Sequence, residues 1–100
     1  MSQSDRFKKK VVIVTGAAQG IGRSVALRVA AEGGAVLAVD RSDLVKEVVA
    51  EIKKMGGDAI ANGESVTDHK GAKRILECAL DTFGKANILV NNAGILRDKS

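Results

Sequence analysis

A chain of one hundred residues with 45% hydrophobic and 28% charged content is one globular domain or part of one, which excludes a disordered or low-complexity protein. The net charge of +4 does not imply nucleic-acid binding, because Lys8-Lys9-Lys10 is the single basic run and Phe7 and Phe83, the only aromatics, offer bases no stacking platform. No apolar run approaches a membrane span, Met1 to Lys10 lacks a secretory signal, and the lone Cys78 can close no internal disulfide, so a cytoplasmic protein with no membrane anchor is expected.

The first predicted element is a strand. Val11-Val12-Ile13-Val14 is a run of β-branched apolar residues, the pattern of a strand buried on both faces of a parallel sheet. It stops at Thr15-Gly16. A helical period then begins at Ile21 and continues through Val25 and Val29, with Ala26 and Ala30 beside them, until Gly33-Gly34. The glycines Gly16, Gly20 and Gly22 therefore fall in a strand-to-helix turn. Gly16 is suited to the tight turn, Gly20 leaves the backbone bare where a ligand can approach, and Gly22 lets helix and strand lie close. The first amides of such a helix lack internal partners and carry partial positive charge, which suits a phosphate or diphosphate. The spacing is Thr-Gly-x-x-x-Gly-x-Gly, not the GxGxxG of the common dinucleotide fingerprint.

Ala35-Val36-Leu37-Ala38-Val39 reads as a second buried strand closed by Asp40. Ser42 or Asp43 is the expected cap of a helix whose apolar face is Leu44, Val45, Val48, Val49, Ile52 and Met55, with Gly56-Gly57 as its stop. Asp58 to Asn62 is a short third strand. Thr67 or Asp68 opens another helix, in which Ala72, Ile75, Leu76, Ala79, Leu80 and Phe83 form one stripe that ends at Gly84. Asn87 to Asn92 is the fourth strand, and Ala93-Gly94 begins a loop. This alternation predicts an α/β fold, a Rossmann-type doubly wound parallel sheet in the order 3-2-1-4.

In such a sheet the Asp40 carboxylate reaches an adenosine ribose and accepts hydrogen bonds from its hydroxyls; alternatively it caps the next turn. Its charge would repel a 2′-phosphate, which favours NAD over NADP. Arg41 acts the other way, since its guanidinium can stack on adenine or attract a 2′-phosphate, so NADP stays possible. Cys78 is read as packing and His69 as a solvated side chain. No His or Cys spacing suggests a metal site.

Three motifs in order resemble the short-chain dehydrogenase/reductase family over nearly the whole chain: the glycine turn, Asp40, and Asn91-Asn92-Ala93-Gly94 after Ile88-Leu89-Val90. The resemblance implies a cofactor site made of Gly16, Gln19, Gly20, Ile21, Gly22, Asp40, Arg41, Ser65, Val66, Asn91, Ala93 and Gly94. Within it, Asn91 and Ala93 would touch the adenosine ribose through the main chain, and one asparagine side chain would tie neighbouring strands. Two positions depart from the family pattern. Ser65 stands where an acidic or amide side chain usually meets adenine, and Asn87 stands where an aspartate is common.

Family chemistry uses a serine and a Tyr-x-x-x-Lys pair, in which the tyrosine moves a proton on the substrate oxygen while hydride passes to or from the cofactor. This sequence contains no tyrosine, and Ser100 lies too early to be the family serine. Residues 1–100 are therefore expected to be the N-terminal part of a single NAD(P)-binding Rossmann domain, with the outer edge of the fourth strand awaiting a neighbour. The implied activity of the full-length protein is alcohol–ketone oxidoreduction with a small-molecule substrate, in a homo-oligomer. Ala93-Gly94-Ile95-Leu96-Arg97-Asp98 is similar to 3-hydroxyacyl-thioester dehydrogenases and ketoacyl reductases, the preferred substrate hint. Val39-Asp40-Arg41-Ser42 is similar to ring-diol dehydrogenases. A non-catalytic dinucleotide sensor is the alternative.

Overall fold

The computed structural model describes residues 7–63 and 69–92. Among these, four strands alternate with three helices: β1 (Val11–Thr15), α1 (Gly20–Ala31), β2 (Ala35–Val39), α2 (Val45–Lys54), β3 (Asp58–Asn62), α3 (His69–Phe83) and β4 (Ile88–Val90). All pairings are parallel and the order is β3-β2-β1-β4, as the alternation predicts. Val11 lies opposite Ala35 and Ala35 opposite Asp58, so the three strands start level and end level, at Thr15, Val39 and Asn62. That common upper edge is where the candidate site lies.

The strand side chains divide by the two-residue period of the pleat. Val12, Val14, Val36 and Ala38 face α1 and α2, where they meet Ala26, Val29, Val45, Val48 and Ile52. Val11, Ile13, Leu37 and Val39 face the other way, toward Ile75 and Ala79 of α3. With both faces covered, alternating polar residues would be buried without partners, which is why these strands read as unbroken apolar runs. Leu37 and Ile52 are fully enclosed, and each such side chain contributes roughly 1.5–3 kcal/mol of burial free energy.

Helix ends follow the glycines. Gly33 donates its N–H to Ala30 and Gly34 to Val29, and the same pair of bonds recurs from Gly56 to Lys53 and from Gly57 to Ile52. Glu32, at the C-terminal end of α1, is buried beside Arg28 one turn back, a placement that no periodicity signals.

Four expectations need correcting. The cap of α2 is Leu44, not Ser42 or Asp43; Ser42 acts from two residues upstream, its Oγ accepting the Leu44 N–H at 3.1 Å and its carbonyl the Val45 N–H at 3.1 Å. Leu44 and Met55 leave the apolar face and are 45% and 51% exposed, because they are the N-cap and C-cap residues and stand just outside Val45–Lys54. Only part of the α3 stripe is buried: Ile75 and Ala79 face the sheet, while Ala72, Leu76 and Leu80 are exposed. Last, β4 covers only Ile88–Val90 and is shorter than Asn87 to Asn92: at its lower end the Asn87 side chain takes the Val11 N–H, and past its upper end the Asn92 N–H folds back on the Val90 carbonyl at 3.1 Å. The predicted opening of α3 at Thr67 or Asp68 lies outside the described residues. Between α3 and β4 runs an apolar groove of about 340 Å³, lined by Ile13, Ile75, Leu76, Ile88 and Leu89 among others.

Candidate functional site

The β1–α1 turn is built as a bare backbone. Gly16 and Gly20 adopt φ of 66° and 61°, the left-handed region that side-chain-bearing residues avoid. Gln19 precedes the helix in extended geometry and its side chain makes no cap, and no acidic residue stands in the first turn of α1. The helix's own first residues thus offer nothing to offset the partial positive charge at its start. Ala17 and Ala18 are buried beneath the turn, whereas Gln19, Gly20 and Ile21 are exposed, Ile21 to 73%. Among the described residues no side chain plugs it. Gly22 supplies the close approach: a β-carbon there would fall 2.0 Å from the Gly16 carbonyl oxygen and 3.0 Å from Asn92 Nδ2.

The end of β2 holds the turn from one side. The Ala17 N–H donates to the Val39 carbonyl at 3.1 Å, and the Ala18 N–H to Asp40 Oδ2 at 3.0 Å. Asp40 Oδ1 accepts the Ser42 N–H at 2.9 Å, and the Asp40 N–H donates to the Asn62 carbonyl at 3.1 Å. Asp40 therefore faces the glycine turn and its carboxylate also caps the turn after β2. Arg41, beside it, is exposed.

On the other side β4 is tied to β1 by asparagines. The Thr15 hydroxyl faces both the Val90 carbonyl at 3.3 Å and Asn91 Oδ1 at 3.2 Å. At the lower end, Asn87 Oδ1 accepts the Val11 N–H at 2.8 Å while the Asn87 N–H donates to the Val11 carbonyl at 2.9 Å. That reciprocal pair accounts for Asn87: the side-chain oxygen is what the position uses, and an amide carries it as well as a carboxylate does. Ser65, Val66, Ala93 and Gly94 lie outside the described residues.

The structure thus brings Gly16, Gln19, Gly20, Ile21, Gly22, Asp40, Arg41 and Asn91 to the carboxyl ends of the strands. Sequence reasoning missed Thr15 and the amides of Ala17 and Ala18 as members of this edge. The Thr15 signal, a hydroxyl at the last strand position before Gly16, was available; the amides belong to apolar residues and leave no trace in side-chain type. Gly20 tests whether a dinucleotide fits: a β-carbon there would meet nothing within 4 Å, so the backbone is bare in front of the first helical turn. The donor set agrees, with an uncapped helix start for a diphosphate and a carboxylate one strand away for sugar hydroxyls. Among the described residues no group of His, Cys, Asp and Glu could hold a metal ion, and no helix is long and apolar enough to cross a membrane.

Strand order, parallel register and crossover helices define a Rossmann-type doubly wound sheet. The family model of the short chain dehydrogenases matches residues 10–100, and the chain belongs to that family. It is 50% identical over 94 residues to the 1,6-dihydroxycyclohexa-2,4-diene-1-carboxylate dehydrogenase of Acinetobacter baylyi, a match covering 94% of this chain and 36% of that protein. It is 43% identical over 110 residues to the peroxisomal multifunctional enzyme type 2 of Mus musculus, covering 100% of this chain and 15% of that protein. Among solved structures, a short chain dehydrogenase from Mycobacterium avium superposes with a TM-score of 0.86 at 41% identity, over 88% of this chain and 34% of that one. A metagenomic short-chain oxidoreductase in complex with NADP gives 0.82 at 29% identity, over 88% and 40%. The chain spans little more than a third of the length of these relatives, or less.

Proposed function

We propose that residues 1–100 are the N-terminal, NAD(P)-binding part of a single Rossmann domain, in an oxidoreductase that interconverts a secondary alcohol and a ketone. The observation that carries this reading is the Asp40 carboxylate held 3.0 Å from the Ala18 amide, against an uncapped helix start. In it, Gly16, Gln19, Gly20, Ile21 and Gly22 surround the diphosphate, Asp40 accepts the ribose hydroxyls, and Arg41 stacks on the adenine side. Ser65 and Val66 serve the adenine, and Asn91, Ala93 and Gly94 line the ribose through the main chain.

The bound nicotinamide supplies the site that accepts or donates the hydride. This chain's own residues bind and orient. Asp40 places negative charge where a 2′-phosphate would sit, so NAD is the proposed cofactor, with Arg41 the residue that would admit NADP. The proton-transfer residues are proposed to belong to the remaining length seen in the relatives. A cytoplasmic homo-oligomer is the proposed setting.

For the substrate, the Ala93–Asp98 segment supports a 3-hydroxyacyl thioester. A second reading, a ring diol, is favoured by Val39-Asp40-Arg41-Ser42 and by the name of the 50%-identical relative.

Titration of the whole protein with NADH and NADPH, followed by assay of a cyclic diol and a 3-hydroxyacyl thioester, tests these readings together. Saturable binding of NADH with turnover of one substrate is expected. Binding without turnover of any alcohol would favour a dinucleotide sensor, and no binding of either nucleotide would overturn the proposal.

A further inference from the structure

Gln19 makes no side-chain cap for α1 and no acidic residue stands in its first turn, yet the Ala17 and Ala18 amides just before it are both held from β2, one by the Val39 carbonyl and one by the Asp40 carboxylate. The same carboxylate holds a second loop through the Ser42 N–H. We propose that Asp40 is a positioning residue for the phosphate turn: it closes the β1–α1 turn against the β2–α2 turn before any nucleotide binds. Turn shape and nucleotide choice then depend on one group, and removing its charge cannot by itself convert the site to NADP. The inference rests on the dinucleotide reading only for its effect on affinity; the closing of the turn is a property of the cofactor-free protein.

The reasoning is one of donors and acceptors. A carboxylate presents two acceptor oxygens with about four lone-pair sites and no donor. At Asp40 each oxygen accepts one backbone N–H, one from each of two loops, and among the described residues one site on each oxygen is left for a sugar hydroxyl. An asparagine at this position keeps one accepting oxygen and brings an NH₂ that can only donate. Whichever way it turns, one of the Ala18 and Ser42 amides meets a donor in place of an acceptor. Alanine releases both. A glutamate retains two acceptors but carries them one methylene too far for both bonds at 3.0 and 2.9 Å.

The view of Asp40 as a charge filter alone predicts the opposite for Asp40→Asn, because loss of the charge should then admit a 2′-phosphate. The test measures NADH and NADPH dissociation constants of the whole protein and its Asp40→Asn and Asp40→Ala variants, together with amide hydrogen exchange of the cofactor-free proteins at Ala18 and Ser42. Expected are an Ala18 amide protected in the wild type and released in Asp40→Ala, and an NADH affinity about tenfold or more weaker in Asp40→Asn with no gain for NADPH. A tenfold gain for NADPH in Asp40→Asn with Ala18 still protected would overturn the proposal. So would an Ala18 amide that exchanges freely in the wild type, a result that needs no variant to fold. A wild type that binds neither nucleotide but loses Ala18 protection in Asp40→Ala would sink the dinucleotide reading and sustain the closing of the turn.

Discussion

The carbonyl oxygen of Gly16 occupies the space a β-carbon on Gly22 would need, at 2.0 Å from its ideal position, with the Gly16 carbonyl carbon at 2.7 Å. Both neighbours are backbone, so neither can rotate away. Gly22→Ala is expected to push α1 off β1 and to destabilise the protein by about 1–3 kcal/mol, the usual range for forcing extra atoms into a packed site. Thermal unfolding of the whole protein, with NADH titration beside it, measures this. An unchanged midpoint would mean that the helix start moves freely.

Gly20 poses a different constraint. A β-carbon there meets nothing within 4 Å, but the residue sits at φ 61°. Gly20→Ala should therefore cost roughly 1–2 kcal/mol through backbone conformation alone, and Gly20→Asn less, since asparagine tolerates that region. If the open space in front of Gly20 receives a diphosphate, both variants lose nucleotide affinity whatever their stability. Chemical denaturation and nucleotide titration of the two variants separate the effects; equal stability losses with intact affinity would remove Gly20 from the site.

At the opposite end of the sheet, Asn87 and Val11 exchange two hydrogen bonds, 2.8 Å through the side chain and 2.9 Å through the main chain. Val11 is 3% exposed, so its N–H has no ready access to water. Asn87→Asp preserves the accepting oxygen and is expected to leave stability unchanged or slightly raised. Asn87→Leu strands the Val11 amide and should cost about 1–3 kcal/mol. Urea unfolding of both variants is the check, and equal midpoints would show that the side-chain bond is dispensable.

Arg23 and Glu51 bridge α1 and α2 at 2.6 Å with both side chains nearly half exposed. Such a pair contributes little, about 0–1 kcal/mol, and less as salt rises. Arg23→Gln should shift the unfolding midpoint slightly at low ionic strength and not at all in high salt. A large, salt-insensitive loss would point to a role for Arg23 beyond the pair.

What the sequence determined by itself is what local period and local turn chemistry decide. The bounds of Ala35–Val39 and Asp58–Asn62, the helix stops at Gly33-Gly34 and Gly56-Gly57 and the bare turn at Gly16 to Gly22 follow from residue types within a few positions of one another, and the sheet order from the alternation of strand and helix along the chain. A strand buried on both faces needs unbroken apolar side chains, and a left-handed turn needs glycine, so composition and spacing carry the information. Tertiary structure alone decided who meets whom. Asp40 finds Ala18 across 22 positions and Asn87 finds Val11 across 76, and no period in the chain links such residues. The same holds for apolar stripes: Ile75 and Leu76 both belong to the stripe of α3, yet the sheet covers Ile75 and leaves Leu76 46% exposed. An apolar face states only that something must cover it, and which part is covered depends on the element that the fold sets against it.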